Sequence, residues 1–451
     1  LVAIKVVIAA EKRGYEITYS DVFAQPTAQA MGAFVGDKVQ EQEASSAPAE
    51  PMSEGTAVAD ADQFAPLLKG NTLQAFLTGE KLPLGNVLLT GATGFLGIHV
   101  LYRLLTETDC IVYCPVRGKG DMAPDVRLRT LLFYYFSNTF DEIWDKRLIV
   151  MSGEVTQRDW METLDVQADT VINCLANVKH FSTGNDIEFV NVESVRNLVV
   201  WCCKTHTRLV HISTTSVAGR SIDGKPDPLH LFSEQEFEIG QTLDNRYAKA
   251  KYDAEKLILD AILHHGLSAK ILRVGNLSAR NSDGEFQANF QSNNFMATLR
   301  AYQTLGVCPY AALDMPCEFS PIDEVADAVL RLATTPEACI VFHPTNPHQQ
   351  LLGDVLSEIQ IAGKRIQAVE KEEFDRVMAA AMENESLIDR LRPLMAYNQK
   401  GNKAPRSIHA TNAYTTQVLY RLGFRWGVTS WDYVEQFIRA IDGLGYFSNL
   451  T

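Results

Sequence analysis

The sequence predicts an α/β protein in which a doubly wound parallel sheet precedes a mostly helical region. Between residues 86 and 274, short apolar runs alternate with helical stretches, which is the order that a parallel sheet covered by helices requires. Beyond Gly284 the alternation loosens and helical spacing dominates. At 451 residues, the chain is long enough for two or three domains.

The first predicted strand runs into a glycine-rich turn. The apolar run ending at Thr90 is followed by Gly91, Gly94 and Gly97, and residues 98–105 then have helical spacing. Glycines let such a turn close, and they let backbone N–H groups at a helix N-terminus approach a diphosphate. An ordinary tight turn is the alternative. We therefore predict a Rossmann-like fold whose candidate cofactor-binding residues here are Gly91, Thr93, Gly94, Phe95, Leu96 and Gly97.

The remaining elements are assigned from periodicity and composition. Six strands are predicted at 86–90, 110–116, 148–152, 170–174, 208–213 and 269–274. A short apolar strand is predicted at 339–343. Helical stretches are predicted at 64–77, 191–204, 247–264, 295–304, 322–334, 351–361, 372–382 and 431–441.

An arginine follows the second predicted strand. Arg117 lies about twenty residues beyond the glycine turn, where an NAD site usually has a carboxylate for the ribose 2′-hydroxyl and an NADP site has an arginine. No Asp or Glu stands there, so the sequence favours NADPH, and Arg127 is a second candidate ligand of the 2′-phosphate. The alternative is that both are solvated surface arginines.

A hydroxyl and a Y-x-x-x-K pair follow the fifth predicted strand. Thr214 lies at the strand end, and Tyr247 and Lys251 share one helix face because they are four residues apart. An ammonium beside a phenol lowers the phenol pKa, which predicts a proton donor useful near neutral pH. The alternative for the pair is an ordinary helix surface.

These features resemble the extended short-chain dehydrogenase/reductases over residues 86–284. The resemblance implies that Thr214, Tyr247 and Lys251 are catalytic and that Tyr247 and Lys251 also contact the cofactor. Glu154 stands where the family commonly has Asp near the adenine. The remaining cofactor contacts that the resemblance implies are Glu154, Val155, Ala176, Asn191 and Asn276. Lys179, His180 and Phe181 are candidates to line the entrance, or are ordinary loop residues.

Finer details resemble the terminal thioester reductase domains of nonribosomal peptide synthetases and the similar domain of carboxylic acid reductases. Five stretches carry this resemblance: HISTTSV at 211–217, AKAKYDAEK at 248–256, RVGNL at 273–277, FSPID at 319–323 and LGFRW at 422–426. The resemblance implies NADPH-dependent release of a carrier-bound acyl chain as an aldehyde, with further reduction to an alcohol left open. The alternatives are a reductase or epimerase of a free substrate, such as an acyl-CoA or a nucleotide sugar, and a non-catalytic nucleotide-sensing module.

The N-terminal residues resemble the second half of a phosphopantetheine carrier domain. Leu1, Ala3 and Val6 fit the residues after its attachment serine, which would lie immediately before Leu1 and is absent from this sequence. Residues 33–63 are rich in Ala, Ser, Pro and acidic residues, which predicts a mobile linker. The expected organisation is therefore a carrier fragment at 1–32, a linker at 33–63, an NADP-binding domain at 64–284 and a substrate-binding domain at 285–451 that is partly interleaved with the sheet.

The composition and net charge of the chain argue against some classes of binding partner. The net charge of −14 argues against a nucleic acid or an anionic membrane as partner. The eight cysteines have no paired C-x-x-C spacing, which favours reduced thiols and a cytoplasmic location. No apolar run is long enough to span a bilayer. We expect no metal, a monomeric fragment, and a tethered acyl chain delivered by upstream synthetase modules.

Overall fold

The computed structural model describes residues 63–178, 186–361, 365–395 and 406–447, together with residues 27, 29, 31 and 32. The helix of the carrier fragment, the predicted linker up to residue 62, and Lys179, His180 and Phe181 lie outside these described residues.

Parallel strands form one central sheet. They are β1 (Val87–Thr90), β2 (Val112–Val116), β3 (Leu148–Ser152), β4 (Thr170–Asn173), β5 (Arg208–Thr214), β6 (Ala269–Val274) and β7 (Val341–Phe342). Their order in the sheet is β3-β2-β1-β4-β5-β6-β7. The strand order reverses between β1 and β4, and ligands of open α/β sheets bind at such a switch point. The predicted doubly wound fold is confirmed, and six strands agree with their predicted bounds to within two residues at each end.

Helices cover both faces of the sheet. The four that position the site are α1 (Phe95–Glu107), α2 (Pro124–Phe136), α3 (Ser194–Thr205) and α4 (Arg246–His265). On one face, α1, α2 and the helix Ile322–Ala333 bury a core against the strands. On the other face, α3 and α4 bury a second core. The other helices packed near the sheet are Ala65–Lys69, Leu73–Thr78, Arg158–Glu162 and Ala413–Arg421.

The predicted helix at 64–77 is broken at Asn71. The side chain of Asn71 is 1% exposed. Its Nδ2 donates to the carbonyl oxygens of Glu234 (3.1 Å) and Val341 (2.7 Å), and its Oδ1 accepts from the N–H of Ile340 (3.0 Å). These tertiary hydrogen bonds replace a continuous helix by two short ones and attach them to the last strand of the sheet.

A third core lies among the helices that follow residue 284. These helices are Asn294–Leu305, Tyr310–Leu313, Leu352–Ile361, Lys371–Met382, Glu385–Met395 and Trp431–Gly443. Five short strand pairs complete the described structure: Leu277–Ser278 with Ser320–Pro321, Val307–Pro309 with Gln367–Val369, Pro316–Glu318 with Gln349–Leu351, Arg220–Ser221 with Arg406–Ser407, and Leu231–Phe232 with His409–Ala410. All eight cysteines are free thiols. In the described part of the chain, no helix combines the length and the apolar character needed to cross a membrane.

Candidate functional site

Two glycines of the turn after β1 have no space for a side chain. Gly91 has a φ of +73°, and a Cβ there would lie 2.6 Å from the backbone of Cys174 and Leu175. A Cβ on Gly97 would overlap the carbonyl oxygen of Gly91. The turn is closed by a hydrogen bond of 2.8 Å from the N–H of Gly94 to that same oxygen. Close approach of backbone to backbone therefore explains these glycines.

The turn presents the N-terminus of α1 to the switch point of the sheet. Gly94 is the N-cap, and no side chain of the described residues caps this helix end. The ring of Phe95 packs against Tyr135 and Phe286, and Leu96 is buried, so these two residues offer backbone N–H groups rather than side chains. Uncapped N–H groups at a helix N-terminus suit a phosphate. Thr93 lies half-buried in the same turn.

Two arginines and a carboxylate meet beyond the ends of β2 and β3. The Arg117 Nη1 lies 2.8 Å from the Glu154 Oε1, and the Arg117 side chain remains 59% exposed. Arg127, on α2, donates from Nη1 to the carbonyl oxygen of Arg117 at 2.9 Å. Burial and the charge of Arg117 lower the pKa of Arg127. The neighbouring Val155 is buried, and its carbonyl oxygen accepts from the Asn197 side chain at 3.0 Å.

Asn191 fixes the loop that follows β4. It lies in a π-helical turn, Phe189–Glu193, a distortion frequently found at functional sites. Its Oδ1 accepts from the N–H of Asn177 at 2.7 Å, and its Nδ2 donates to the Asn177 carbonyl at 3.0 Å. The buried Asn191 amide therefore holds the backbone next to Ala176. Ala176 is half-buried and follows Cys174 and Leu175, whose backbone lies against Gly91.

The predicted catalytic residues are brought together at the end of β5. Thr214 is the last residue of this strand, and Tyr247 and Lys251 lie one turn apart on α4. The Tyr247 phenol and the Thr214 hydroxyl share a hydrogen bond. The N-terminus of α4 is capped by Asn245, whose Oδ1 accepts from the N–H of Tyr247 at 2.8 Å. The geometry thus presents two hydroxyls side by side, one from the strand and one from the helix.

The pKa values of this pair differ from the sequence-based expectation. Burial raises the pKa of Tyr247 to about 12, although the Thr214 hydrogen bond opposes the shift. The expected lowering is wrong for this structure because burial has the larger effect on the phenol. The Lys251 ammonium donates to the Ile212 carbonyl at 2.7 Å. Burial lowers the pKa of Lys251 to about 8, while the Glu255 carboxylate opposes that shift. At neutral pH the phenol is protonated and Lys251 is mostly an ammonium.

A buried ion pair, not predicted from the sequence, lies one turn beyond Lys251. The Arg273 Nη2 lies 2.8 Å from the Glu255 Oε2, and neither side chain is exposed. Glu255 is four residues beyond Lys251, so it continues the buried face of α4. A charged residue at that spacing on a buried helix face is the signal that could have identified it.

A second carboxyl lies beside the end of β6. Asn276 is exposed, and its N–H donates to the Glu318 Oε2 at 3.0 Å. The Ser320 hydroxyl donates to the other carboxyl oxygen at 2.5 Å. Burial raises the pKa of Glu318. A Cβ on Gly275 would overlap the Glu318 carboxyl, so this glycine makes room for it. Nothing in the local sequence pattern marks Glu318.

Comparison with known proteins gives a family and several similar structures. A family of NAD-binding domains described as "Male sterility protein" matches residues 89–329. The structure of a thiolation-reductase di-domain from an archaeal nonribosomal peptide synthetase is 31% identical, with 99% of this chain and 91% of that chain covered and a TM-score of 0.83. The terminal R domain of the myxalamid pathway is 23% identical, with 85% and 99% covered and a TM-score of 0.68, and it shares the fold.

Two curated proteins align with part of the chain. A linear gramicidin synthase polypeptide of Brevibacillus parabrevis is 25% identical over 64% of this chain. Isonitrile lipopeptide synthase of Streptomyces coeruleorubidus is 28% identical over 58% of this chain. The alignments cover 6% and 18% of the lengths of these two proteins, so the chain corresponds to a small part of each.

Proposed function

The chain belongs to the male sterility protein family of NAD-binding domains, and we propose that it is an NADPH-dependent reductase that releases a carrier-bound peptidyl or aminoacyl thioester as an aldehyde. The observation that carries this proposal is the hydrogen-bonded pair of Thr214 and Tyr247 at the end of β5, with Lys251 one helical turn farther along α4. The similarity to a thiolation-reductase di-domain over 99% of the chain supports a tethered thioester as substrate.

The two hydroxyls act on the carbonyl oxygen of the thioester. Thr214 and Tyr247 donate hydrogen bonds to that oxygen, which polarises the carbonyl and stabilises the negative charge that develops on it. NADPH, when bound along the glycine turn, supplies the hydride that the carbonyl carbon accepts. Tyr247, protonated because burial raises its pKa to about 12, passes its proton to the oxyanion and gives a thiohemiacetal.

Tyr247 regains its proton when the product is released. The thiohemiacetal hydroxyl loses its proton to the Tyr247 oxygen, the carbon–sulfur bond breaks, and the sulfur leaves as the thiol after protonation from solvent. The balanced reaction converts a thioester, NADPH and a proton into an aldehyde, a thiol and NADP⁺. The Lys251 ammonium lies one helical turn from Tyr247 and adds positive charge to the site in which the carbonyl oxygen gains negative charge.

The remaining assignments follow the same proposal. Arg117 and Arg127 hold the 2′-phosphate, and Glu154, Val155, Ala176, Asn191 and Asn276 line the rest of the cofactor site. Residues 64–284 bind the cofactor and residues 285–451 bind the acyl chain. Residues 1–32 are the end of a carrier domain whose phosphopantetheine delivers the thioester across the 33–63 linker, from upstream synthetase modules.

The test is to mix the purified chain with NADPH and an acyl-pantetheine thioester. We expect loss of absorbance at 340 nm, with one equivalent of thiol released and an aldehyde trapped by a hydrazine for each NADPH consumed. Tyr247→Phe is the matched control. Turnover of a nucleotide sugar or another free substrate in place of the thioester would indicate the free-substrate reductase. Cofactor binding without any turnover would indicate the sensing module.

A further inference from the structure

The buried ion pair of Glu255 and Arg273 lies directly behind the candidate catalytic pair. Glu255 is on α4, one turn beyond Lys251, and Arg273 is on β6. Replacing such a pair by apolar side chains of similar volume often costs no stability. Stability alone therefore does not account for two unexposed charges at this place.

Hydrogen bonds join α4 to consecutive residues of β5. The Lys251 Nζ donates to the Ile212 carbonyl at 2.7 Å, and the Ser213 hydroxyl donates to the Glu255 Oε1 at 2.5 Å. The next residue of the strand is Thr214, the partner of Tyr247. The two contacts therefore fix the register between the helix and the strand whose hydroxyls must meet.

Arg273 orients the Glu255 carboxylate. Its Nε lies 3.1 and 3.0 Å from the two carboxylate oxygens, and its Nη2 lies 2.8 Å from one of them. The Arg273 Nη1 in turn donates to the Glu236 carbonyl at 3.0 Å and to the His343 Nε2 at 3.2 Å. Burial lowers the pKa of His343 to about 3, so this ring is a neutral acceptor that adds no second positive charge.

We propose that Glu255 is a positioning residue that fixes α4 against the end of β5 and whose negative charge keeps Lys251 in its ammonium form. The inference rests on the proposed function. Cys174, after β4, and His211, on β5, also face Lys251, and burial keeps both uncharged because it raises the thiol pKa and lowers the imidazole pKa. Glu255 is thus the anion that faces Lys251 within the described part of the chain.

The test uses Glu255→Gln, which keeps the size of the side chain and an acceptor for Ser213 but removes the charge. The readout is the ¹³Cε chemical shift of Lys251 against pH, without cofactor or substrate, assigned by the signal that disappears in Lys251→Arg. We expect the titration midpoint to fall from about 8 by about 1–2 pH units. With thioester and NADPH, kcat/KM at pH 7 should then fall by about two- to tenfold and recover towards the unsubstituted value below pH 6.

Two further variants keep the test decisive. Glu188→Gln removes a carboxylate that binds Arg246, on the solvent side of the same helix, and should leave the Lys251 midpoint unchanged. Glu255→Gln with Arg273→Met leaves no unpaired buried charge of this pair. If the single variant does not fold, this double variant should show a fall in the same direction but a smaller one, because the Arg273 charge is removed as well. An unshifted Lys251 midpoint, or a rate loss that low pH does not restore, overturns the inference. If the unsubstituted protein reduces no thioester, the proposed function fails instead, while the Lys251 titration still decides the role of Glu255.

Discussion

Arg117→Ala tests the proposal that Arg117 makes the protein prefer NADPH to NADH. A hydrogen bond to a charged group is worth about 1.5–3 kcal/mol where it is shielded from water. The Arg117 side chain is 59% exposed and already binds Glu154 at 2.8 Å, so solvent screening and the competing carboxylate both reduce that figure. We therefore expect a loss of about 1–1.5 kcal/mol, or roughly five- to tenfold weaker NADPH binding. The affinity for NADH, which has no 2′-phosphate, should change by less than about twofold.

The competing carboxylate provides a second arm of this experiment. Glu154→Gln releases Arg117 from its ion pair and removes a negative charge near the phosphate, so NADPH binding should tighten by about two- to fivefold. Binding is measured by cofactor fluorescence at fixed ionic strength, because exposed charges are screened by salt. Arg376→Ala, which removes another exposed arginine paired with a carboxylate at 3.0 Å, is the matched control. Equal losses for NADPH and NADH in Arg117→Ala, or equal affinities in the unsubstituted protein, would refute the assignment.

Two other substitutions test the catalytic pair and the glycine turn. Tyr247→Phe removes the hydroxyl that hydrogen-bonds Thr214, so kcat should fall by about 10²–10⁴ while NADPH affinity is retained; near-normal turnover would place the chemistry elsewhere. Gly97→Ala forces a methyl group against the Gly91 carbonyl and should lower the free energy of unfolding by about 1–3 kcal/mol in a urea titration. Gly443→Ala, where a Cβ meets nothing within 4 Å, is its control, and equal stability of the two variants would contradict the packing argument.

Sequence periodicity was sufficient for the sheet because its strands are short, apolar and buried, as in β1 and β6. It was insufficient for α2, for which no bounds were predicted. That helix buries Leu128 and Leu132 but also exposes Val126 and Phe133, so its apolar residues do not define one face. A helix with apolar residues on two sides lacks a clear hydrophobic periodicity, so periodicity does not predict its bounds.

In the candidate site, too, local spacing predicted some features, whereas features that depend on tertiary contacts were missed. The spacing of Tyr247 and Lys251 predicts a shared helix face, and they do lie one turn apart on α4. The direction of the Tyr247 pKa shift could not be predicted from the spacing, because it depends on how deeply the folded chain buries the phenol. Glu318 was also missed, since only the folded chain brings it to the turn after β6.

The last strand of the sheet limits where this chain can be divided in a chimera. β7 is contributed by residues 341–342, and it closes the edge of β6 while Asn71 ties it to the short helices at the start of the described region. A chimera joined near residue 284 would leave the edge of β6 without β7, and an exposed strand edge pairs readily with another chain. Exchange experiments should therefore move residues 63–447 as one block, with the upstream junction placed before residue 63.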